Sequence, residues 1–287
     1  MLINNNYIIM IKIKHNAGFF SCCSVRLNTI VDFINLNKKI PDSVDSSKQF
    51  KWYKNSINKD NDITFDYFEN YDNIRDSNIL YPIRFHNSYQ YHNYSKLDYK
   101  HLTPLINKYF SLSNKIKEII KNIERKYNIN YENICVLFYR GNDKNRETKK
   151  CGYDEYLNYA NQILKKNPNI VFLIQSDETE FINFMTNTYS NNSFYFKDEI
   201  RHMEKRDGTV DVDPSSPDPQ FSKSDNLILN SQNYEFSQKY LAITNIMSKC
   251  KYIICGSGNC DMWIMFYRGN TENVIQNLNG SWYNSTV

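Results

Sequence analysis

Residues able to bind an anion directly follow a predicted strand in the middle of the chain. The apolar run ICVLFY indicates a buried strand at 134–139. Four residues after this run carry suitable groups: Arg140, Gly141, Asp143 and Lys144. A guanidinium forms paired hydrogen bonds with phosphate, and a glycine lets the backbone approach a ligand closely. An exposed charged turn is the alternative, and this segment considered alone favours that alternative.

Two further predicted strands also end in polar residues. Ile170–Ile174 is followed by Ser176 and Asp177, which are typical of a helix cap and could equally face a ribose or a base. The strand-like segment 251–255 is followed by a turn that includes Ser257, Gly258 and Asn259. Two glycines before a helix leave backbone N–H groups free for an anion, although a tight turn also needs glycine for steric reasons. Since the carboxyl ends of parallel strands meet at one edge of a sheet, we predict that the three segments form one anion site.

A second candidate site is the sequence Asp211-Val212-Asp213. Paired carboxylates provide the hard oxygen ligands that a divalent cation prefers. No strand pattern leads into this sequence, and it lies in the Pro-, Asp- and Ser-rich segment 205–225, so a solvated loop is favoured. The chain has no HExxH, GxSxG, GxxxxGK[ST] or CxxC sequence, which argues against several metal, hydrolase, nucleotidase and redox sites. We predict no bound metal and no cofactor.

The composition favours a folded protein that accepts an acidic ligand. The 287 residues carry a net charge of +4, and 41% of them are hydrophobic. A chain of this kind can bury a substantial core, which argues against wholesale disorder. The charge falls short of a nucleic-acid-binding signature, although four tyrosines near lysines and histidines could stack on bases: Tyr89, Tyr91, Tyr94 and Tyr99. Several of the seven cysteines lie in apolar runs, which predicts reduced core thiols.

The hydropathy pattern predicts no membrane span. No stretch approaches about 18 uninterrupted apolar residues, the length of a transmembrane helix. The N-terminus lacks an apolar region followed by a small-residue cleavage site, so a secretory signal is not expected. We therefore expect a soluble, cytoplasmic protein, and the abundance of Asn, Ile, Lys and Tyr is consistent with an AT-rich, virus-encoded gene expressed in a host cytoplasm.

The spacing of apolar residues predicts an α/β fold. After residue 126, strand-like runs alternate with helix-like segments such as Tyr153–Lys166 and Tyr234–Cys250. This alternation predicts a parallel sheet with helices on both faces. The first half predicts fewer elements, namely a strand at 7–14, a helix at 25–37, loops and short elements over 45–100, and a helix over 103–127.

The second half of the chain resembles the fucosyltransferase-like glycosyltransferases of GT-B architecture, which include the α-1,6-fucosyltransferases and the Nod-factor fucosyltransferases. The likeness covers about 103–270 and rests on four segments in the same order: KYFSLSNKIKEII, ICVLFYRGNDK, IVFLIQSDETEF and MSKCKYIICGSGNCDMWIMFYRG. It implies two Rossmann-like domains with parallel sheets facing a cleft. An N-terminal acceptor-side domain would span 1–125, and a C-terminal nucleotide-sugar-binding domain would span 126–287.

The resemblance implies a reaction and a role for each candidate residue. The reaction would move a sugar, fucose from GDP-fucose, to a glycan or protein acceptor, with inversion and without a metal. Arg140 would bind the donor diphosphate and stabilise its developing charge. Gly141 and Lys144 would lie beside the diphosphate, and Asp143 would orient the loop or contact the sugar. The other two segments would approach the nucleoside through Ser176 and Asp177 and the pyrophosphate through Ser257, Gly258 and Asn259.

Three residues of this chain differ from the pattern of that family. The family's histidine position holds Phe138, and an arginine often found before the phosphate-binding arginine is replaced by Tyr139. The second serine of the final turn is replaced by Cys260. These replacements motivate a second hypothesis, in which the protein is a catalytically inactive relative that binds a nucleotide sugar or a carbohydrate.

Overall fold

A computed structural model of the chain describes residues 10–54, 57, 59–73, 79–141, 144, 147–197 and 223–284. The candidate Asp143 and the Asp211-Val212-Asp213 sequence lie outside these residues. The described residues form an α/β structure, which confirms the predicted fold class. The division into two domains at about residue 125 stays a prediction.

Eight strands form two sheets among the described residues. A two-stranded parallel sheet pairs β1 with β2, and a six-stranded sheet has the order β5-β4-β3-β6-β7-β8. All pairs in the larger sheet are parallel except β7 with β8. The strands are β1 (Met10–His15), β2 (Ser43–Gln49), β3 (Ile134–Tyr139), β4 (Val171–Ser176), β5 (Ser193–Phe194), β6 (Tyr252–Cys255), β7 (Val274–Leu278) and β8 (Ser281–Asn284).

Eight α-helices connect or flank these strands in the described part of the chain. Helices α5 and α6 follow β3 and β4 as crossover connections, and α7 precedes β6. The helices are α1 (Phe19–Asn37), α2 (Thr64–Tyr67), α3 (Tyr99–Tyr109), α4 (Asn114–Tyr127), α5 (Tyr153–Lys166), α6 (Thr179–Thr188), α7 (Lys223–Lys249) and α8 (Asn259–Arg268). None of these helices has the length and apolarity needed to cross a bilayer.

Strand β3 lies at the centre of the larger sheet because its sequence is apolar on both faces. All six of its residues are buried, as expected of a strand covered by helices on either side. The chain adds β4 and β5 on one side of β3 and then returns to add β6 on the other side. The space between β3 and β6 is therefore the point where the strand order reverses, which is where α/β sheets bind ligands.

The register brings the polar strand ends to one edge of the sheet. Tyr139 of β3 is paired with Ser176 of β4, and Phe138 is paired with Cys255 of β6. On the next strand, Gln276 of β7 is paired with Cys255. The residues that follow β3, β4 and β6 consequently leave the sheet at the same level, and their side chains can meet.

The first half of the chain packs against one face of the larger sheet. Helix α1 buries an apolar face that includes Leu27, Ile30 and Ile34. These residues belong to one continuous hydrophobic core with Phe138 of β3 and Trp263 of α8. The position of α1 beside α8 therefore places an element of the first half next to the polar strand ends.

Several predicted boundaries were wrong. The predicted helix over 103–127 is two helices, α3 and α4, and α4 begins after Ser113, whose hydroxyl accepts a hydrogen bond from the Ile116 N–H at 3.5 Å. Helix α1 begins at Phe19 rather than at Val25, and α7 begins at Lys223 rather than at Tyr234. The antiparallel strand β8 was not predicted, because its residues are mostly exposed and carry no run of apolar side chains.

Candidate functional site

Arg140 and Asp177 form an ion pair where β3 and β4 end. The Arg140 Nε donates to Asp177 Oδ2 at 2.8 Å, and the Gly141 N–H donates to Asp177 Oδ1 at 2.7 Å. Both side chains are largely buried, with 12% and 9% of their surfaces exposed. The two oxygens of Asp177 hold the guanidinium and the backbone of the Arg140 loop, and its predicted approach to a nucleoside stays a prediction. Asp177 thereby positions Arg140 at the edge of the sheet.

The other face of the Arg140 guanidinium reaches two neighbouring helices. Its Nη1 donates to the Cys260 Sγ of α8 at 3.1 Å and to the Tyr240 hydroxyl of α7 at 3.4 Å. These contacts and the Asp177 pair join the ends of β3, β4 and β6 around one cation. The predicted convergence of the three segments is therefore present in the described residues.

Gly141 is required because the Glu178 side chain fills the space that a larger residue would occupy. A β-carbon at position 141 would lie 1.8 Å from both the Cδ and the Oε1 of Glu178. Glu178 is buried, accepts a hydrogen bond from the Tyr153 hydroxyl at 2.5 Å, and lies 3.3 Å from the Lys150 Nζ. The glycine thus serves close packing of two polar loops, and its predicted role beside a phosphate stays a prediction.

Two of the predicted serines make internal hydrogen bonds. The Ser176 hydroxyl accepts from the Glu178 N–H at 3.0 Å, so it stabilises the turn into α6. The Ser257 hydroxyl donates to the Asn277 carbonyl at 2.8 Å and accepts from the Gln276 Nε2 at 2.8 Å. Both serines are buried, and their hydroxyl groups hold the strand ends in place.

The glycine turn after β6 is held by a tyrosine from the first half of the chain. The Gly258 N–H donates to the Tyr94 hydroxyl at 2.9 Å, and the same hydroxyl lies 3.0 Å from the Gly258 carbonyl. Lys144 covers this turn, since its Cε would lie 3.3 Å from a β-carbon at position 258. Asn259 faces away from the strand ends, because its Oδ1 accepts from the Ser24 hydroxyl of α1 at 2.7 Å.

A small cleft of about 30 Å³ opens between the loop after β3 and the turn after β6. Gly256, Ser257 and four cationic residues line it; the cations are Arg140, Lys144, Lys149 and Lys150. Arg140 pairs with Asp177, Lys144 with Glu147, and Lys150 with Glu178. Lys149 has no acidic partner among the described residues and is exposed. The cleft is therefore suited to an anion with several oxygen atoms.

No family model and no curated protein sequence matches the chain. The assignment of a function therefore rests on the residues around the cleft.

The three residues that differ from the pattern of the resembling family lie in different surroundings. Phe138 is 1% exposed and belongs to the hydrophobic core, so its side chain does not reach the cleft. Tyr139 lines the cleft and packs on Phe181, with ring centroids 4.7 Å apart. Cys260 contacts Arg140 directly. All seven cysteines are free thiols, and six of them are buried.

Asp261 is the acidic residue of this region that the sequence analysis missed. It lies on the first turn of α8 and is 1% exposed, and no described side chain donates to either of its carboxylate oxygens. Burial raises its pKa from 3.8 to about 6, and the charges of Arg140 and Lys144 oppose that increase. One signal was available in the sequence, since an aspartate inside the otherwise apolar CDMWIMF segment must be buried when α8 packs on the sheet.

No group of three or more metal-binding side chains occurs within the ranges given above for the structure. Asp177, Glu147 and Glu178 each pair with a lysine, an arginine or a tyrosine, and Asp261 stands apart from them.

Proposed function

We propose that the protein is a glycosyltransferase that uses a nucleotide sugar, GDP-fucose, as its donor. The observation that carries the proposal is the cationic cleft at the reversal point of the sheet, with Arg140 held between the ends of three strands. A diphosphate presents several anionic oxygens within a few ångströms, which matches several cations around one opening. A GT-B arrangement, with residues 1–125 on the acceptor side, and a glycan or protein acceptor form part of this proposal.

Arg140 would contribute to catalysis by stabilising the charge that develops on the leaving diphosphate. Its guanidinium is already oriented by Asp177, so little reorganisation would be needed when the donor binds. A preorganised donor of this kind contributes about 3 kcal/mol to lowering a barrier. Lys144 and Lys150 would add charge from the same loop, although each shares its charge with a carboxylate.

The binding step is tested by thermal unfolding in the presence of GDP-fucose, GDP and a panel of other nucleotide sugars. A ligand present at about 100 times its dissociation constant stabilises the folded state by about 2.7 kcal/mol, which raises the melting temperature by several degrees. Lys149→Ala should reduce this increase, because it removes a cleft cation without leaving a carboxylate unpaired. Lys121→Ala is the matched control, since Lys121 is an exposed lysine of α4.

Arg140→Ala should abolish the increase, and its own stability must be measured because the substitution leaves Asp177 buried without its cation. Unchanged melting of the wild-type protein with every nucleotide sugar of the panel would contradict the proposal. Equal loss of binding in the Lys149 and Lys121 variants would show that the ligand does not occupy this cleft.

The second candidate, a nucleotide-sugar-binding protein without transferase activity, is supported by Phe138. The apolar ring in the core provides no proton donor or acceptor at the position where the resembling family has a histidine. This candidate predicts binding without release of GDP, both with water and with a set of glycan acceptors. Measurable transfer or donor hydrolysis that depends on Arg140 would exclude it.

A further inference from the structure

The carboxyl group of Asp261 lies directly beneath the glycine turn that forms one wall of the cleft. Its Oδ2 would be 3.1 Å from a β-carbon at position 258, and its Oδ1 would be 3.8 Å from one at position 256. The side chain is buried, and no described side chain donates to either oxygen atom; the backbone N–H groups of Asp261 and Gly256 favour its ionised form, but burial outweighs them. A buried, unpaired carboxylate is costly, so this group calls for an explanation.

The cations near Asp261 are directed to other carboxylates. Arg140 pairs with Asp177, and Lys144 pairs with Glu147, so neither forms an ion pair with Asp261. Their charges act on Asp261 only from a distance. The N-terminal end of α8 stabilises the ionised form to some extent, because Asp261 lies in the first turn of that helix.

The remaining titratable groups that face Asp261 cannot exchange its proton near neutral pH. They come from three further elements: Tyr94 of the 3₁₀ helix before α3, Tyr156 of α5 and Cys255 of β6. Burial raises the pKa of each of these groups well above its usual value, and the charge on Asp261 raises it further. All three therefore stay neutral, and Asp261 is the group beneath the turn whose charge can change.

An anion in the cleft would lie beside this turn. Gly256 and Ser257 line the cleft, and the Asp261 carboxyl lies close to the same turn. A diphosphate at that wall would meet the field of an ionised Asp261 through a thin, water-poor layer, where screening is weak. Neutral Asp261 would remove one opposing charge, so that the helix N-terminus, Lys149 and the three paired cations would attract the anion more strongly.

We infer that Asp261 couples anion binding in the cleft to the uptake of one proton, so that the protein binds a nucleotide sugar with Asp261 as the neutral acid. This inference rests on the proposed function, since it concerns the same cleft. The proton passes from solvent to a carboxylate oxygen of Asp261, and no proton leaves the ligand. Asp261 thus selects anionic ligands more strongly under mildly acidic conditions.

The sign of the effect follows from linkage. A carboxyl that is ionised in the free protein and neutral in the complex makes affinity fall as pH rises, by at most tenfold per pH unit. The decrease should begin near the pKa of free Asp261, which burial raises to about 6. Below that value Asp261 is already neutral, and its contribution to the pH dependence disappears.

Titration calorimetry with GDP-fucose at about pH 7, in two buffers of different ionisation enthalpy, tests the inference. GDP-fucose is a suitable probe because its diphosphate is esterified at both ends and takes up no proton in the range of the experiment. The wild-type protein should take up between about half and one proton per ligand bound. Asp261→Asn should take up none, and its affinity should be nearly independent of pH.

Two control variants test whether a side chain other than Asp261 takes up the proton. Asp154→Asn removes an exposed aspartate of α5 and should leave the proton uptake unchanged. His92→Gln removes an imidazole, the side chain that most often titrates near neutral pH, from the segment that precedes Tyr94. It should also leave the proton uptake unchanged, and a loss of uptake in this variant would overturn the inference.

The outcomes distinguish this inference from the proposed function. Binding of GDP-fucose to the wild-type protein without proton uptake would overturn the inference and leave the proposed function standing. Equal proton uptake by the wild-type and Asp261→Asn proteins would do the same. If the wild-type protein does not bind GDP-fucose or any other nucleotide sugar, both fail. Should Asp261→Asn not fold, the wild-type and His92→Gln measurements still decide the question.

Discussion

Replacing Gly141 by alanine should destabilise the protein far more than replacing Gly152 by alanine. The added methyl group at position 141 would overlap the Glu178 carboxyl, whose Cδ lies 1.8 Å from the new carbon. At position 152 a β-carbon would have no heavy atom within 4 Å. Both glycines lie near the cleft, so the comparison isolates the close contact with Glu178.

The expected cost at Gly141 comes from the contacts that Glu178 must give up when it moves. Its hydrogen bond from the Tyr153 hydroxyl contributes about 2 kcal/mol, and its longer contact with Lys150 contributes about 1 kcal/mol. Overpacking in a filled interior adds about 1 kcal/mol or more. The total is about 4 kcal/mol, whereas Gly152→Ala at the N-cap of α5 should cost less than about 1 kcal/mol.

Urea unfolding followed by tryptophan fluorescence measures both free energies of unfolding, and a double-mutant cycle with Glu178→Ala tests the cause. When Glu178 is alanine, the space beside position 141 is empty. In that background, Gly141→Ala should lower the free energy of unfolding by less than about 1 kcal/mol. The coupling energy between the two substitutions should therefore be about 3 kcal/mol. Additive effects, or equal costs at positions 141 and 152, would refute this explanation of the glycine.

Four further substitutions test the buried polar contacts, with one exposed ion pair as the comparison. Asp177→Asn should destabilise the protein by about 3 kcal/mol, because it leaves the Arg140 guanidinium without its buried carboxylate, whereas Glu118→Gln in an exposed pair should leave stability nearly unchanged. Asp261→Asn should stabilise the protein above about pH 6. The folded-state pKa of Asp261 is raised from 3.8 to about 6, so its ionisation lowers stability as pH rises through that window, by up to about 3 kcal/mol. Tyr94→Phe should cost about 1 to 2 kcal/mol, because the Gly258 N–H loses its acceptor.

Unfolding experiments at several pH values check these expectations together. A pH-independent difference between Asp261→Asn and the wild-type protein would contradict the buried, unpaired state of that carboxyl. Equal effects of Asp177→Asn and Glu118→Gln would contradict the burial of the Arg140 pair. No loss of stability in Tyr94→Phe would show that the hydroxyl does not hold the turn.

The strands at the centre of the sheet could be predicted because their sequences are continuous apolar runs. The run 134–139 is apolar at every position, which suits a strand covered on both faces and little else. The polar residues after it, after β4 and after β6 could then be assigned to one edge by the geometry of parallel strands. The edge strand β8 and the start of α1 were missed, because exposed strands and helix N-termini depend on neighbours that a local pattern does not show.

The partners of the site residues could not be predicted from the same pattern. The pairing of Arg140 with Asp177 depends on the register of β3 against β4, which sets two strand ends at the same level. Tyr94 reaches the turn after β6 from a 3₁₀ segment whose sequence has no apolar period. The isolation of Asp261 is a property of three-dimensional packing, since its nearest cations are directed to other carboxylates.

A crystal structure of the protein soaked with GDP-fucose is the most direct test of the central claim. The account predicts diphosphate oxygens within about 3 Å of the Arg140 guanidinium and beside Lys149, between the ends of β3 and β6. GDP-fucose bound elsewhere on the protein, or an empty cleft at a saturating ligand concentration, would contradict the account.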